Sequence, residues 1–295
     1  MVAELTGKYD TIGIDCVAMN VNDIICVGAR PVSLVDYIAC EFANEKIFEE
    51  IGKGLSEGAR QAEISISGGE ISQIPEIIQG IDLVGACIGQ VNIDRVNTGT
   101  NVSSDNFIVG LQSNGIHSNG LTLARKVLLG DTTDKQKEKI NQYSETLGTT
   151  FGLELLKPTK IYVKEILEML ASGIDLKAII HITGGGFCNL NRIRAEGIRF
   201  VLDRLPEPHP VFELIRDTGR ISQSEMHEVF NMGIGMCLIV DGKYDVDRIK
   251  SISKKYGTDS QVIGHVETCA GKEVLIPKHN LIGRGVAFGP SDSRD

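Results

Sequence analysis

The sequence predicts an α/β (α+β) protein of two domains. Three observations carry that reading. Strand-like and helix-spaced segments alternate in both halves, a polar, turn-rich stretch near residue 100 separates the halves, and 295 residues suffice for two cores of ordinary size.

In the first half, Ile14, Val17, Ala18, Val21, Ile24 and Ile25 recur at three- and four-residue steps, which predicts a helix over 11–28 with Gly28 at its end. "RPVSLVDYIA" is β-branched and bounded by Pro31, so it reads as a strand. Residues 44–63 return to helical spacing through Ile47, Ile51, Leu55, Ala59 and Ala62. "ISISGGE" reads as a strand ending in a glycine turn, and "DLVGACIGQV" as a further strand. "NTGTNVSSDN" is the boundary, giving an N-terminal domain over 1–95, a C-terminal domain over 104–280 and a polar tail over 281–295. In the second half "FIVGLQS", "LKAIIHIT" and "VFNMGIGMCLIV" read as strands, and "LTLARKVLL" and "IYVKEILEML" as helices.

A formal net charge of −9 argues against general affinity for nucleic acid or anionic membrane, because both need a basic surface that displaces counterions. No run reaches the 18 or so apolar residues of a membrane span, and "MVAELTGKYD" has no signal-peptide core, so a cytoplasmic protein is expected. The seven cysteines are scattered without a C-x-x-C pair and read as reduced small hydrophobes, mostly buried.

Polar residues on the first helix suggest chemistry. Asp15 and Asn22 are seven residues apart and share one face, with Asp23 beside Asn22. Either that face is solvated, or its oxygens hold Mg²⁺, which takes one or two carboxylates plus phosphate oxygens. "SGGE" offers Glu70 after Gly68 and Gly69, as a plain turn or as an anion-facing backbone with a carboxylate reaching a cation.

Three stretches lie where helices are expected to start. In "SNGIHSNG", Ser118, Asn119 and Gly120 can hold a phosphate or cap the helix, with His117 beside them. "KPTKIYV" puts Thr159 and Lys160 at another start. In "HITGGGF", Gly184, Gly185 and Gly186 let a ligand approach the backbone closely, and Thr183 adds a hydroxyl. Three such loops in one domain suggest an anionic, phosphorylated substrate. No G-x-x-x-x-G-K-[ST] or G-x-G-x-x-G occurs, and the G-x-S-x-G match "GLSEG" at 54–58 lies inside a helical repeat.

Taken in order, "YDTIGIDCVAMNVNDIICVGARPVSLVDYIA", "GGE", "GIHSNGLTLARK", "KPTKIYV", "HITGGGF" and "FNMGIGM" resemble phosphoribosylformylglycinamidine cyclo-ligase, also called aminoimidazole ribonucleotide synthetase, over roughly residues 9–275. The resemblance implies an N-terminal sheet that pairs with a second subunit in a homodimer, and a C-terminal α/β domain. It also implies ATP-dependent closure of an imidazole ring on a ribonucleotide substrate, with Mg²⁺ as cofactor. Carried over by motif, His181, Asp23 and Glu70 are catalytic, and Asp23 and Glu70 are the metal ligands. Asp15, Asn22, Gly68, Gly69 and Gly184 to Gly186 are nucleotide contacts. His117, Ser118, Asn119, Gly120, Thr159, Tyr162 and Thr183 are substrate contacts.

The resemblance places a D-G-V-G-T-K segment, with another metal-binding Asp and a Lys, upstream of Met1, and Ile71 stands where bacterial members have Thr. Selenophosphate synthetase, thiamine-phosphate kinase and formylglycinamidine ribonucleotide amidotransferase share the implied architecture. A non-catalytic dimerising remnant is the alternative of another class.

Overall fold

Val17, Val21 and Ile25 stand four residues apart, and all three are fully buried. Removing side chains of that size from water stabilises by about 1.5–3 kcal/mol each, so this stripe fixes one face of the helix Ile12–Cys26 (α2). The structure, a computed structural model, describes residues 1–291. A short helix Val2–Thr6 (α1) precedes α2. After α2 come the strand Arg30–Cys40 (β1), the helix Glu45–Ala62 (α3), and the strands Ser65–Gln73 (β2) and Ile81–Gln90 (β3). Asn44 caps α3 by accepting from the N–H groups of Lys46 and Ile47. The three strands form a sheet of order β2-β1-β3, parallel between β1 and β2 and antiparallel between β1 and β3.

The second unit continues with β4 (Phe107–Gln112), α4 (Leu121–Leu129), α5 (Thr133–Lys139) and a two-residue pairing of β5 (Tyr143–Ser144) with β6 (Thr149–Thr150). Then follow α6 (Phe151–Leu155), α7 (Val163–Ala171), β7 (Ala178–His181), β8 (Ile198–Val201), α8 (Pro210–Gly219) and α9 (Gln223–Val229). Last come β9 (Ile234–Val240), α10 (Lys243–Lys255), β10 (Ser260–Thr268), β11 (Lys272–Ile276), β12 (Leu281–Arg284) and β13 (Ala287–Pro290).

Eight of these strands form one sheet, ordered β13-β12-β11-β8-β10-β4-β9-β7. Every residue of β9 is buried, so both faces of the sheet are covered. From Met236 on, alternate residues of β9 feed two cores, and Ile234 lies beyond a register shift. Ile234, Cys237 and Ile239 join Leu128 and Phe212 on one side, while Met236, Leu238 and Val240 join Val17, Val21, Leu34 and Ile38 on the other. The second core belongs to both units, with α2 packed between the small sheet and the large one.

Several expectations are corrected. β2 runs through Gly68 and Gly69 to Gln73 rather than turning at them, because pairing with β1 continues as far as Cys40. The residues 158–162 precede α7 instead of beginning it. "FCNLNRI" forms a 3-10 turn, Gly186–Arg192, rather than an α-helix. Residues 281–290 of the expected polar tail form β12 and β13 at the edge of the large sheet, where Leu281, Ile282 and Phe288 are buried. Residues 292–295 of that tail lie outside the described residues. All seven cysteines are free, but only Cys40, Cys188 and Cys237 are buried. No helix of the described residues is long and apolar enough to cross a membrane.

Candidate active site

The face of α2 carrying Asp15 and Asn22 meets the loop before α7. Asp15 Oδ1 accepts the Thr159 N–H at 2.7 Å and the Ser118 hydroxyl at 3.3 Å, and the Ser118 and Thr159 hydroxyls lie 2.8 Å apart. Burial pushes the Asp15 carboxyl above the usual range, against those hydrogen bonds. Asn22, fully buried, donates to the Lys160 carbonyl at 2.8 Å and accepts the Tyr162 N–H at 3.1 Å. The Tyr162 hydroxyl in turn donates to the Gln112 carbonyl at 2.8 Å. Five expected site residues, Asp15, Asn22, Ser118, Thr159 and Tyr162, therefore converge with His117 nearby, but largely as a clamp between the two units.

His117 is part of the same clamp. Its Nε2 accepts the N–H of Asn114 at 3.0 Å and that of Lys160 at 3.4 Å, so its proton sits on Nδ1. Burial drives its pKa down to about 3, and the ring is neutral. Gly120 is the N-cap of α4 at φ 82°, and no side chain caps that helix, so Ser118 and Asn119 are not capping residues.

The triple glycine answers two needs. Gly186, at φ 54°, lies so close to the His227 carbonyl that a Cβ there would overlap it, so packing alone demands glycine. The N–H groups of Gly185 and Gly186 already donate to the carbonyls of Glu228 and Thr183. The Gly184 N–H has no backbone acceptor among the described residues, and Gly184 faces Asn119. The loop thus offers a ligand one backbone donor, where the sequence suggested three. Asn189 braces it, donating to the His181 carbonyl at 3.3 Å and to the Thr183 hydroxyl at 3.2 Å.

At the C-terminal end of β7 the His181 side chain is almost wholly buried, and its Nδ1 meets Asp23 Oδ1 at 2.9 Å. Facing a carboxylate, Nδ1 carries the proton and Nε2 is left as an acceptor. Asp23 itself is 68% exposed, with its second oxygen open. The pair lines a pocket of about 380 Å³ whose walls include Cys26, Asn189, Arg192, Arg194 and the 97–99 segment. A volume of that order suits a small-molecule ligand.

Glu70 stands elsewhere. It pairs with Tyr37, one residue out of step with Asp36, whose other partner Gly85 presses on Asn20 and Cys16 of α2. Glu70 is therefore on the face of the small sheet turned away from α2, with exposed Gly68 and Gly69 beside it. Asp23 and Glu70 do not converge within one chain. Among the described residues no group of three or more His, Cys, Asp or Glu is placed to hold a metal ion.

Asn189, Arg192 and Arg194 were not legible as site residues. Their only sequence signal is the polar spacing of "FCNLNRIR" directly after the glycines.

Two family models match the chain: the N-terminal domain of AIR synthase related proteins over residues 1–91, and the C-terminal domain of the same proteins over 103–276. Among curated relatives, the phosphoribosylformylglycinamidine cyclo-ligase of Methanocaldococcus jannaschii is 48% identical over 267 residues, 90% of this chain and 74% of that protein. The protein of the same name from Methanothermobacter thermautotrophicus is 46% identical over 274 residues, 93% of this chain and 78% of its own. Solved structures share the fold at low identity. A HypE–HypF complex matches with TM-score 0.66 at 19% identity, over 91% of this chain and 82% of that one. Thiamine-monophosphate kinase from Stenotrophomonas maltophilia K279a matches with TM-score 0.65 at 20% identity, over 90% and 79%.

Proposed function

The chain belongs to the AIR synthase related protein family, and from that premise we propose that it is an ATP-dependent phosphoribosylformylglycinamidine cyclo-ligase of purine biosynthesis. In that reaction the formyl amide oxygen bonds to the γ-phosphorus of ATP and ADP leaves. The amidine nitrogen then bonds to the same carbon, the C–O bond breaks to release phosphate, and the nitrogen gives up a proton. An amide oxygen leaves only once phosphorylated, so the protein's part is positioning, charge stabilisation and proton handling.

The observation that carries this reading is the Asp23–His181 pair at 2.9 Å, facing a pocket beside the glycine loop. Asp23 engages His181 Nδ1 and leaves Nε2 free to act as a base, and in our reading Nε2 takes the amidine proton. The Gly184 N–H and Asn119 contact a phosphate. Mg²⁺ would supply charge neutralisation at the transferring phosphoryl group; Asp23 offers it an open oxygen, and its remaining ligands come from phosphate or from outside this chain. The small sheet leaves Val35, Tyr37, Val84 and Ile88 exposed on one face, which fits a homodimer joined there. A cytoplasmic setting belongs to the same proposal, since ATP and the ribonucleotide are its substrates.

The test is direct. Purified protein given ATP and formylglycinamidine ribonucleotide should release ADP, phosphate and aminoimidazole ribonucleotide in equal amounts. ATP hydrolysis without ring closure would contradict the assignment.

A further inference from the structure

The pocket beside Asp23 and His181 holds two arginines that the protein does not neutralise. Arg60, Arg199, Arg216, Arg248 and Arg284 each lie within 4 Å of a carboxylate. Arg192 makes only a 3.4 Å bond to the Gly184 carbonyl, and the Arg194 side chain has neither hydrogen bond nor ion pair among the described residues. The one carboxylate on the pocket wall, Asp23, is already bonded to His181. In a chain of net charge −9, this is a local surplus of positive charge.

The residue between the two arginines is fixed in the core. Ile193 between them is extended (φ −68°, ψ 163°) and 9% exposed, packed under Gly99. Arg192 and Arg194 flank it, both exposed and both on the pocket wall. The Arg194 N–H donates to the Thr98 carbonyl at 3.0 Å, tying the segment to the facing wall. The two guanidinium groups therefore arise from an anchored strip rather than a free loop.

We propose that Arg192 and Arg194 bind the 5′-phosphate of the ribonucleotide, with its reacting end toward His181. The guanidinium fork matches the oxygens of a phosphate monoester, a dianion that would balance both charges. This assignment rests on the cyclo-ligase reading for the identity of the ligand, while the pocket's affinity for a sugar phosphate does not.

Arg192→Ala and Arg194→Ala should each raise KM for the ribonucleotide about tenfold or more and leave KM for ATP unchanged. With the 5′-dephosphorylated nucleoside as substrate, wild type and variants should perform alike. A rise in KM for ATP instead, or an equal loss with the nucleoside, overturns the proposal. Thermal shift with ribose 5-phosphate separates the two readings: wild type should be stabilised and the double variant not. If that pattern holds in a protein that closes no ring, the phosphate pocket stands and the cyclo-ligase reading fails. If the protein turns over but the double variant still responds to ribose 5-phosphate, the pocket assignment alone fails.

Discussion

Buried ionisable residues that serve the clamp leave a signature in pH. Glu165, on α7, accepts the Thr258 hydroxyl at 3.1 Å with one oxygen, while the other has no partner among the described residues. Burial raises its pKa from 4.5 to about 7, against the Thr258 bond and the charge of Lys160. The folded state thus holds this proton more tightly than the unfolded chain, so Glu165 lowers stability as pH rises through about 4.5 to 7. His117 acts in the opposite sense: its pKa falls from 6.5 to about 3, so stability is lost as pH drops through that window. Comparison with a variant isolates the first effect. Glu165→Gln should melt several degrees above wild type at pH 8 and close to it at pH 5. A constant difference across that range would show that Glu165 keeps an ordinary carboxylate pKa. The clamp residues were legible because Asp15 and Asn22 share a helix face. Ser118 and Thr159 were legible too, as polar residues before expected helices, but their pairing with Asp15 was not, since they lie more than 100 residues from it and only the tertiary fold brings them together.

At the scale of elements, α2 serves three neighbours: one stripe enters the shared core, one holds the loop before α7, and Asp23 reaches β7. Its crossing with α3 is close because both helices are bare there. A Cβ on Gly54 would lie 2.6 Å from the Asp10 carbonyl oxygen, and one on Gly13 would lie 2.3 Å from the Leu55 nitrogen. The "GLSEG" match to a hydrolase elbow is therefore a packing motif inside α3. Helix propensity alone favours Gly54→Ala by about 1 kcal/mol. The close crossing reverses that sign, and Gly54→Ala should lower stability by roughly 2 kcal/mol in denaturant unfolding. An increase would mean that the helices meet less tightly. Elements with an apolar period, such as α2, α3 and β9, were readable from sequence. The course of β2 was not, because two glycines look like a turn unless the pairing with β1 is known.

For the whole molecule, the two units act as one through the core they share, and the exposed apolar face of the small sheet is where a second copy should dock. Val84 lies on that face at 49% exposure, opposite Tyr37. Val84→Asp should weaken dimerisation at least tenfold in sedimentation equilibrium with little change in melting temperature, because a charge is buried only in the dimer. A wild-type chain that sediments as a monomer at every concentration would remove the dimer from the proposal. The alternation of strands and helices made the fold class legible. The packing of α2 between two sheets was not, since no local pattern records which distant surface a helix covers.

In our reading Asp23 and His181 together perform the proton step of ring closure, and the steady-state kinetics of His181→Asn separate that role from a structural one. That change keeps a side chain able to bond Asp23 but removes the base, so kcat for aminoimidazole ribonucleotide formation should fall about 100-fold or more while KM for both substrates stays within a few-fold. Asp23→Asn should fall in the same way and add little to the double variant, as expected of residues acting as a unit. Near-normal kcat in His181→Asn, with the protein folded and binding both substrates, would contradict the claim.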